Sequence, residues 1–155
     1  MKSRLNFSKV DPNAYTAMDA LDNYVANTSI DAVHQEFIRI RASQINGCAY
    51  CVDMHSRAAL KAGATEQRVF LVSAWREAGA IFTEEERLLF KMTEEVTYIH
   101  QHGLREETYE QAIALFGELK TAQIIMAIIT INAWNRIGVS ATMKPAMQKI
   151  KTIQL

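Results

Sequence analysis

Apolar residues recur at intervals of three and four along most of the chain, the spacing that places them on one face of an α-helix. Ile30, Val33, Phe37 and Ile40 follow it in a stretch that continues to Asn46. The hairpin-type dipeptide Asn46-Gly47 lies between two helical patterns and not between alternating strands. The pattern predicts helices that start at about Pro12 and then run over Ser29–Asn46, Cys48–Ala62, Thr65–Ala78, Thr83 to just before Gly103, Glu106–Phe116 and Leu119–Ile137.

Capping residues support several of these boundaries. Asp11 precedes Pro12, which suits the first position of a helix, and Thr83 stands three residues before Glu86 in a capping box. Gly47 and Gly63 each follow a helical pattern and are expected to end it. We therefore predict an all-α protein of about six to seven helices, in a single domain spanning residues 1–155.

Composition narrows the classes of partner. The chain has 155 residues, with 17 lysines and arginines balanced by 17 acidic residues. A net charge of zero argues against nucleic acid or an anionic membrane as a main partner. The N-terminal residues lack an apolar run, and the longest such run, 122–131, is too short to span a bilayer. These features predict a cytoplasmic protein, and the last predicted helix, apolar on nearly every face, is expected in a core or a subunit interface.

The candidate chemistry is concentrated in one short stretch. Cys48, Cys51 and His55 follow one another at intervals of three and four residues, so a helix starting at Cys48 places them in one stripe. Two cysteines at this spacing have Cα atoms about 5 Å apart, within the range that a disulfide needs. Glu36 lies on the preceding helix, at the border of its apolar face, where it could pack against the stripe.

A redox site would use these residues as follows. The helix N-terminus stabilises a thiolate, most directly on Cys48, while His55 could accept the proton of Cys51. A lowered thiol pKa also lowers nucleophilicity, so a useful site must protonate the leaving group with a nearby acid. His55 and Glu36 are the candidates for that role. The residues alone leave open which sulfur reacts first.

Other interpretations of the stretch are also considered. The two cysteines could be small buried hydrophobic residues, or Glu36, Cys48, Cys51 and His55 could bind zinc in an interaction module. Structural zinc normally needs a second cysteine pair, and the chain has two cysteines in all. A thioredoxin-like site would need a preceding strand, and covalent haem attachment would need histidine at Val52.

The run EFIRIRASQINGCAYCVDMH, residues 36–55, resembles the core motif of the AhpD-like alkylhydroperoxidases within the carboxymuconolactone decarboxylase family. That motif is a glutamate, eleven residues and then C-x-x-C-x-x-x-H, and this chain matches it in full. Tyr50 stands where the family often has histidine. The apolar helix that ends with Asn132, Asn135 and Arg136 resembles the family's C-terminal helix more loosely.

The resemblance implies an all-helical homo-trimer or homo-hexamer that reduces small-molecule hydroperoxides without a cofactor. It implies that Cys51 attacks the peroxide, that Cys48 resolves the sulfenic acid as a disulfide, and that Glu36 and His55 relay protons. A thiol or lipoyl-type protein would then reduce the disulfide. The family also contains muconolactone decarboxylases, but these generally lack the cysteine pair, so we rank a lyase below a peroxidase.

Polar residues on apolar helix faces are expected to find hydrogen-bonding or charged partners. Asn132, Asn135 and Arg136 are expected to make helix-end hydrogen bonds in a subunit interface. Arg41 falls inside the apolar face of its helix, which predicts a buried carboxylate partner.

Overall fold

The computed structural model describes residues 4–147 and contains seven α-helices and no β-strand in that range, which confirms the predicted all-α class. The helices are α1 (Phe7–Val10), α2 (Pro12–Ala26), α3 (Ala32–Ile45), α4 (Ala49–Lys61), α5 (Glu66–Leu71), α6 (Glu84–Thr97) and α7 (Glu106–Ser140). Short 3₁₀ turns span Val72–Ala74, Gly79–Ile81 and Ile99–Gln101.

Helix α3 lies at the centre of the fold and packs against α4, α6 and α7. One side of it contributes Ile38 to an aliphatic cluster with α6 and α7 that includes Met92 and Ile128. Its other side contributes Phe37 to a cluster whose rings from Phe82 and Phe90 lie 5.0 Å apart, centroid to centroid. Since α3 is clamped on both sides, the residues along it, Glu36 included, have fixed positions in the fold.

The start of α3 corrects one prediction. Ser29 is not the capping residue; the Asp31 carboxylate accepts hydrogen bonds from the backbone N–H groups of Val33, at 2.8 Å, and His34, at 3.4 Å. The Ser29 hydroxyl instead donates to the side-chain oxygen of Gln123 on α7, at 2.7 Å. Both residues are good caps locally, and the contact with α7 decides between them.

The segment after α5 corrects a second prediction. Thr65 caps α5 as expected, but the helix ends at Leu71 and not at Ala78. Beyond it the chain turns tightly to bury Trp75, whose indole N–H donates to Glu94, and Arg87 donates to the carbonyl of Trp75. Burial of a large ring and these long-range hydrogen bonds outweigh local helix propensity here.

Local signals at the other helices agree with the structure. The Thr83 capping box is present in both directions, with Thr83 N–H donating to Glu86 at 2.9 Å. Helix α6 ends at Thr97, a few residues before the predicted end. The predicted break after Phe116 is a kink in α7 at Gly117, whose φ of 75° and ψ of 169° leave the helical region.

The partner predicted for Arg41 is Glu94 on α6. The Arg41 Nε group donates to the Glu94 carboxylate at 2.9 Å, and Trp75 donates to the same oxygen at 2.7 Å. Burial would raise the pKa of Glu94, but the hydrogen bonds from Trp75 and Arg76 and the charges of Arg41 and Arg76 outweigh it and lower that pKa. The half-buried Arg41 cation is therefore neutralised between α3 and α6.

Within residues 4–147, α7 is the one helix long and apolar enough to cross a membrane by length and composition. A third (33%) of its most apolar stretch is buried inside the chain, where α7 packs against α2, α3 and α6. Core helices of soluble proteins meet the same criterion, so this feature is weak support for a membrane span.

Candidate functional site

The turn between α3 and α4 places the cysteine pair. Gly47 adopts a left-handed φ of 69°, and the backbone N–H of Cys48 then donates to the Ser43 carbonyl at 3.0 Å. Cys48 is the N-cap of α4, and its sulfur accepts the backbone N–H of Cys51 at 3.3 Å. Cys48 and Cys51 form a disulfide whose Cα atoms lie 5.3 Å apart, as the spacing predicts.

Glu36 on α3 and His55 on α4 form a buried carboxylate–imidazole pair. Glu36 Oε2 lies 2.7 Å from His55 Nδ1, and both side chains are only 11–12% exposed. Burial would raise the pKa of Glu36, but the hydrogen bond and charge of His55 and the charge of Arg39 outweigh it and lower that pKa. Glu36 is therefore ionised at neutral pH.

An ionised Glu36 determines how His55 can act. A carboxylate only accepts hydrogen bonds, so Nδ1 of His55 is protonated and donates its hydrogen bond to Glu36. In the neutral imidazole the lone pair is then on Nε2. Since His55 follows Cys51 by one helical turn on the same face of α4, the geometry suits proton exchange on that face.

A cavity of about 370 Å³ opens beside the disulfide. Cys51 and His55 line it together with Tyr50, while Cys48 and Glu36 do not. Of the two cysteines, Cys51 is therefore the one that lines the cavity. Glu36 contacts His55 from the side away from the cavity.

Gly138 on α7 is part of the site and was not found by sequence reasoning. A Cβ atom at this position would lie 3.1 Å from the Cys48 sulfur and 3.5 Å from the Cys51 sulfur. The disulfide therefore packs directly on the backbone of α7. A glycine inside an apolar helix is the one signal that could have indicated a close contact.

A hydrogen-bonded amide network joins the end of α3 to α7. The Asn46 side chain donates to the side-chain oxygens of Asn132, at 2.9 Å, and Asn135, at 3.0 Å. Asn135, which is fully buried, donates in turn to Ser43 at 2.9 Å, and Arg136 donates to the Asn132 carbonyl. These bonds join residues of the same chain and hold the turn that precedes Cys48; the subunit interface expected at these residues stays a prediction.

The zinc alternative lacks a ligand set in the part of the chain that the structure describes. No three histidine, cysteine, aspartate or glutamate side chains converge there as a metal-binding group. Cys48 and Cys51 are bonded to each other, and Glu36 is already held by His55 and Arg39.

Fold and site together define an all-helical protein with a cysteine pair and a carboxylate–imidazole pair beside one cavity. Residues 12–95 match the sequence model of the carboxymuconolactone decarboxylase family, and the chain belongs to that family.

Individual relatives agree with this assignment. The chain is 33% identical over 140 residues to the uncharacterised protein YdfG of Bacillus subtilis (strain 168), covering 90% of this chain and 95% of YdfG. A crystal structure is known for a protein of unknown function from Agrobacterium tumefaciens that is described as a candidate antioxidant defence protein AhpD. The two sequences are 38% identical, and the structures superpose with a TM-score of 0.91. The match covers 95% of this chain and all (100%) of that one. The apo structure of the debrominase Bmp8 shares the fold at a TM-score of 0.78 and 18% identity, covering 88% of this chain and 73% of that one.

Proposed function

We propose that the protein is a thiol-dependent peroxidase of the alkylhydroperoxidase type. The observation that carries the proposal is the position of Cys51, which faces the cavity, bonds to Cys48 and precedes His55 by one turn. A nucleophile and a proton carrier then line one small-molecule site, and the resolving thiol is bonded to the nucleophile outside the lining.

In the first step, Nε2 of His55 takes the Cys51 proton, and the thiolate attacks the terminal oxygen of the hydroperoxide. The O–O bond breaks, Cys51 becomes a sulfenic acid, and His55 returns the proton to the departing alkoxide, which leaves as the alcohol. Glu36, hydrogen-bonded to Nδ1, stabilises the imidazolium that exists between the two transfers.

In the second step, the Cys48 sulfur attacks the Cys51 sulfur, and the S–O bond breaks. The hydroxide takes the Cys48 proton and leaves as water, so two thiols are oxidised and one hydroperoxide is reduced. The backbone N–H of Cys51, which points at the Cys48 sulfur, stabilises the resolving thiolate.

Turnover then needs two electrons and two protons from a dithiol donor, for which a thiol or lipoyl-type reductant protein is suitable. A cytoplasmic location, where such donors are reduced, and a homo-trimeric or homo-hexameric assembly belong to the same proposal. The description of the Agrobacterium relative as a candidate antioxidant defence protein supports it.

The test is intact-mass spectrometry of the reduced protein before and after one equivalent of cumene hydroperoxide. We expect the mass of the wild type to fall by two hydrogen atoms, as the disulfide forms. The mass of Cys48→Ser should rise by one oxygen atom, as a sulfenic acid forms on Cys51 and is not resolved. Cys51→Ser should react at the background rate of a free thiol. Unchanged masses in both the wild type and Cys48→Ser would overturn the proposal.

A further inference from the structure

The charges around the cavity are unbalanced. Among residues 4–147, the carboxylates that line it are Asp19 and Asp22 of α2, and no lysine or arginine in that range lines it. Arg39 does not line the cavity; it donates a hydrogen bond to Glu36, and its guanidinium nitrogen lies 3.4 Å from a carboxylate oxygen of Asp22. Arg39 thus pairs with Glu36 and Asp22, while Asp19 adds a second carboxylate to the lining, so the lining gives the cavity a negative potential.

The remaining wall is mainly apolar and aromatic. Tyr15 of α2 meets Trp134 of α7 edge to face, with ring centroids 5.2 Å apart, and Phe7, Met54 and Ile137 add apolar surface. Burial raises the pKa of Tyr15, and Asp19, Tyr50 and Asp22 raise it further. The phenol therefore stays protonated and available as a hydrogen-bond donor to an oxygen in the cavity.

We infer that the cavity selects neutral organic hydroperoxides that carry an aromatic or other bulky apolar group, and that Asp19 and Asp22 reject anionic ones. The ring pair of Tyr15 and Trp134 receives the apolar group, and the carboxylates repel a carboxylate on the ligand. The hydroperoxide part of this inference rests on the proposed function, whereas the preference for a neutral aromatic ligand does not. The same charges disfavour a carboxylated lactone, the substrate type of the lyase alternative.

The position of the two aspartates predicts how the rejection responds to salt. Asp19 is exposed and the Asp22 side chain is 45% exposed, so both stand where the cavity meets solvent. Mobile ions screen charges at such positions, and the discrimination should weaken as ionic strength rises. A cavity that discriminated by shape alone would not respond to salt.

The first experiment measures binding without chemistry. Calorimetric titration of Cys51→Ser compares 2-phenylpropan-2-ol, the alcohol product of cumene hydroperoxide, with its para-carboxylate. We expect the neutral alcohol to bind about tenfold more tightly at low salt. The Asp19→Asn and Asp22→Asn double variant should remove most of that difference, chiefly by improving the binding of the carboxylate. Glu118→Gln removes the charge of an exposed acid on α7, far from the cavity. It is the matched control and should not change the affinity for either ligand.

The second experiment compares rates of disulfide formation in the wild-type protein with cumene hydroperoxide and its para-carboxylate. We expect the same preference and the same rescue by the double variant. If neither peroxide reacts while the binding preference is found, the proposed function fails and the ligand selectivity stands. If both alcohols bind Cys51→Ser with equal strength, the selectivity is overturned. If both peroxides oxidise the wild type at equal rates, the selectivity is overturned and the peroxidase proposal stands.

Discussion

Glu36 on α3 accepts a hydrogen bond from Nδ1 of His55 on α4, at 2.7 Å, directly behind the wall that presents Cys51 to the cavity. The contact joins two helices and fixes one tautomer of the imidazole. In the proposed peroxidase reaction it would also give a proton passing through His55 a counter-charge on the side away from the cavity.

Replacing that carboxylate tests its part in catalysis. We expect Glu36→Gln to slow Cys51 oxidation by cumene hydroperoxide about tenfold to a hundredfold, because the imidazolium formed during proton transfer loses its counter-charge. Stopped-flow rates across pH 5–9 should show a changed pH profile as well as a lower maximum. Asp53→Asn, which removes an exposed carboxylate paired with Arg57 on α4, is the control and should leave the profile unchanged. An unaltered profile in Glu36→Gln would assign the pair a purely structural role.

The same residue predicts an acid dependence of stability. The folded state lowers the pKa of Glu36 below its ordinary value of 4.5, so ionisation of this group stabilises the fold. That contribution is complete above the ordinary pKa and is lost as the pH falls through the lowered folded-state value. The free energy of unfolding of the wild type should therefore decline more steeply over this acidic interval than that of Glu36→Gln.

Denaturant unfolding at several pH values would measure this difference. Glu94, whose pKa is also lowered in the fold, leaves a residual slope in Glu36→Gln, and Glu94→Gln should remove that part. Parallel curves for wild type and Glu36→Gln below pH 4.5 would contradict the assignment, since they would mean that folding does not change the proton affinity of Glu36.

Much of the site could be predicted from sequence because its signals are local. The intervals between Cys48, Cys51 and His55 place them on one face of any helix, and α4 is such a helix. Glu36 was predicted from its place at the border of an apolar helix face and from the fixed spacing of the family motif, and the turn at Gly47 brings it into contact with His55. Capping at Thr83 and the break at Gly117 are likewise local, which is why both were predicted.

The parts that were missed depend on contacts distant in sequence. Ser29 and Asp31 are equally good caps until Gln123 of α7 binds Ser29. The cavity is built from α2, α4, α7 and the segment before α2, and no periodicity in one helix predicts which residues of the others line it. Gly138 belongs to this group, because its importance depends on a sulfur ninety positions away.

The amide network predicts a cost for removing Asn135. Asn135→Ala leaves the Ser43 hydroxyl and one bond of Asn46 unsatisfied in a buried site, and should destabilise the protein by about 1–3 kcal/mol. Hydrogen exchange at Gly47 and Cys48 should also become faster, since Asn46 is held less firmly. Asn13→Ala, at an exposed position of α2, is the control and should change unfolding by far less. Unchanged exchange at the turn would show that the network stabilises α7 without fixing the cysteines.

Gly138 predicts a coupling between α7 and the redox state of the cysteine pair. In a helix, glycine to alanine normally stabilises by about 0.5–1 kcal/mol. Here the added Cβ would approach the Cys48 sulfur to 3.1 Å, and a sulfur fixed in a disulfide has little freedom to move away. Gly138→Ala should therefore destabilise the oxidised protein by about 1–3 kcal/mol, and the reduced protein by less, because a free Cys48 side chain can rotate. Denaturant unfolding with and without reductant measures both values. In a Cys48→Ala background the crowded atom is gone, so the same substitution should be neutral or stabilising; a destabilisation that persisted there would place the steric conflict elsewhere on α7.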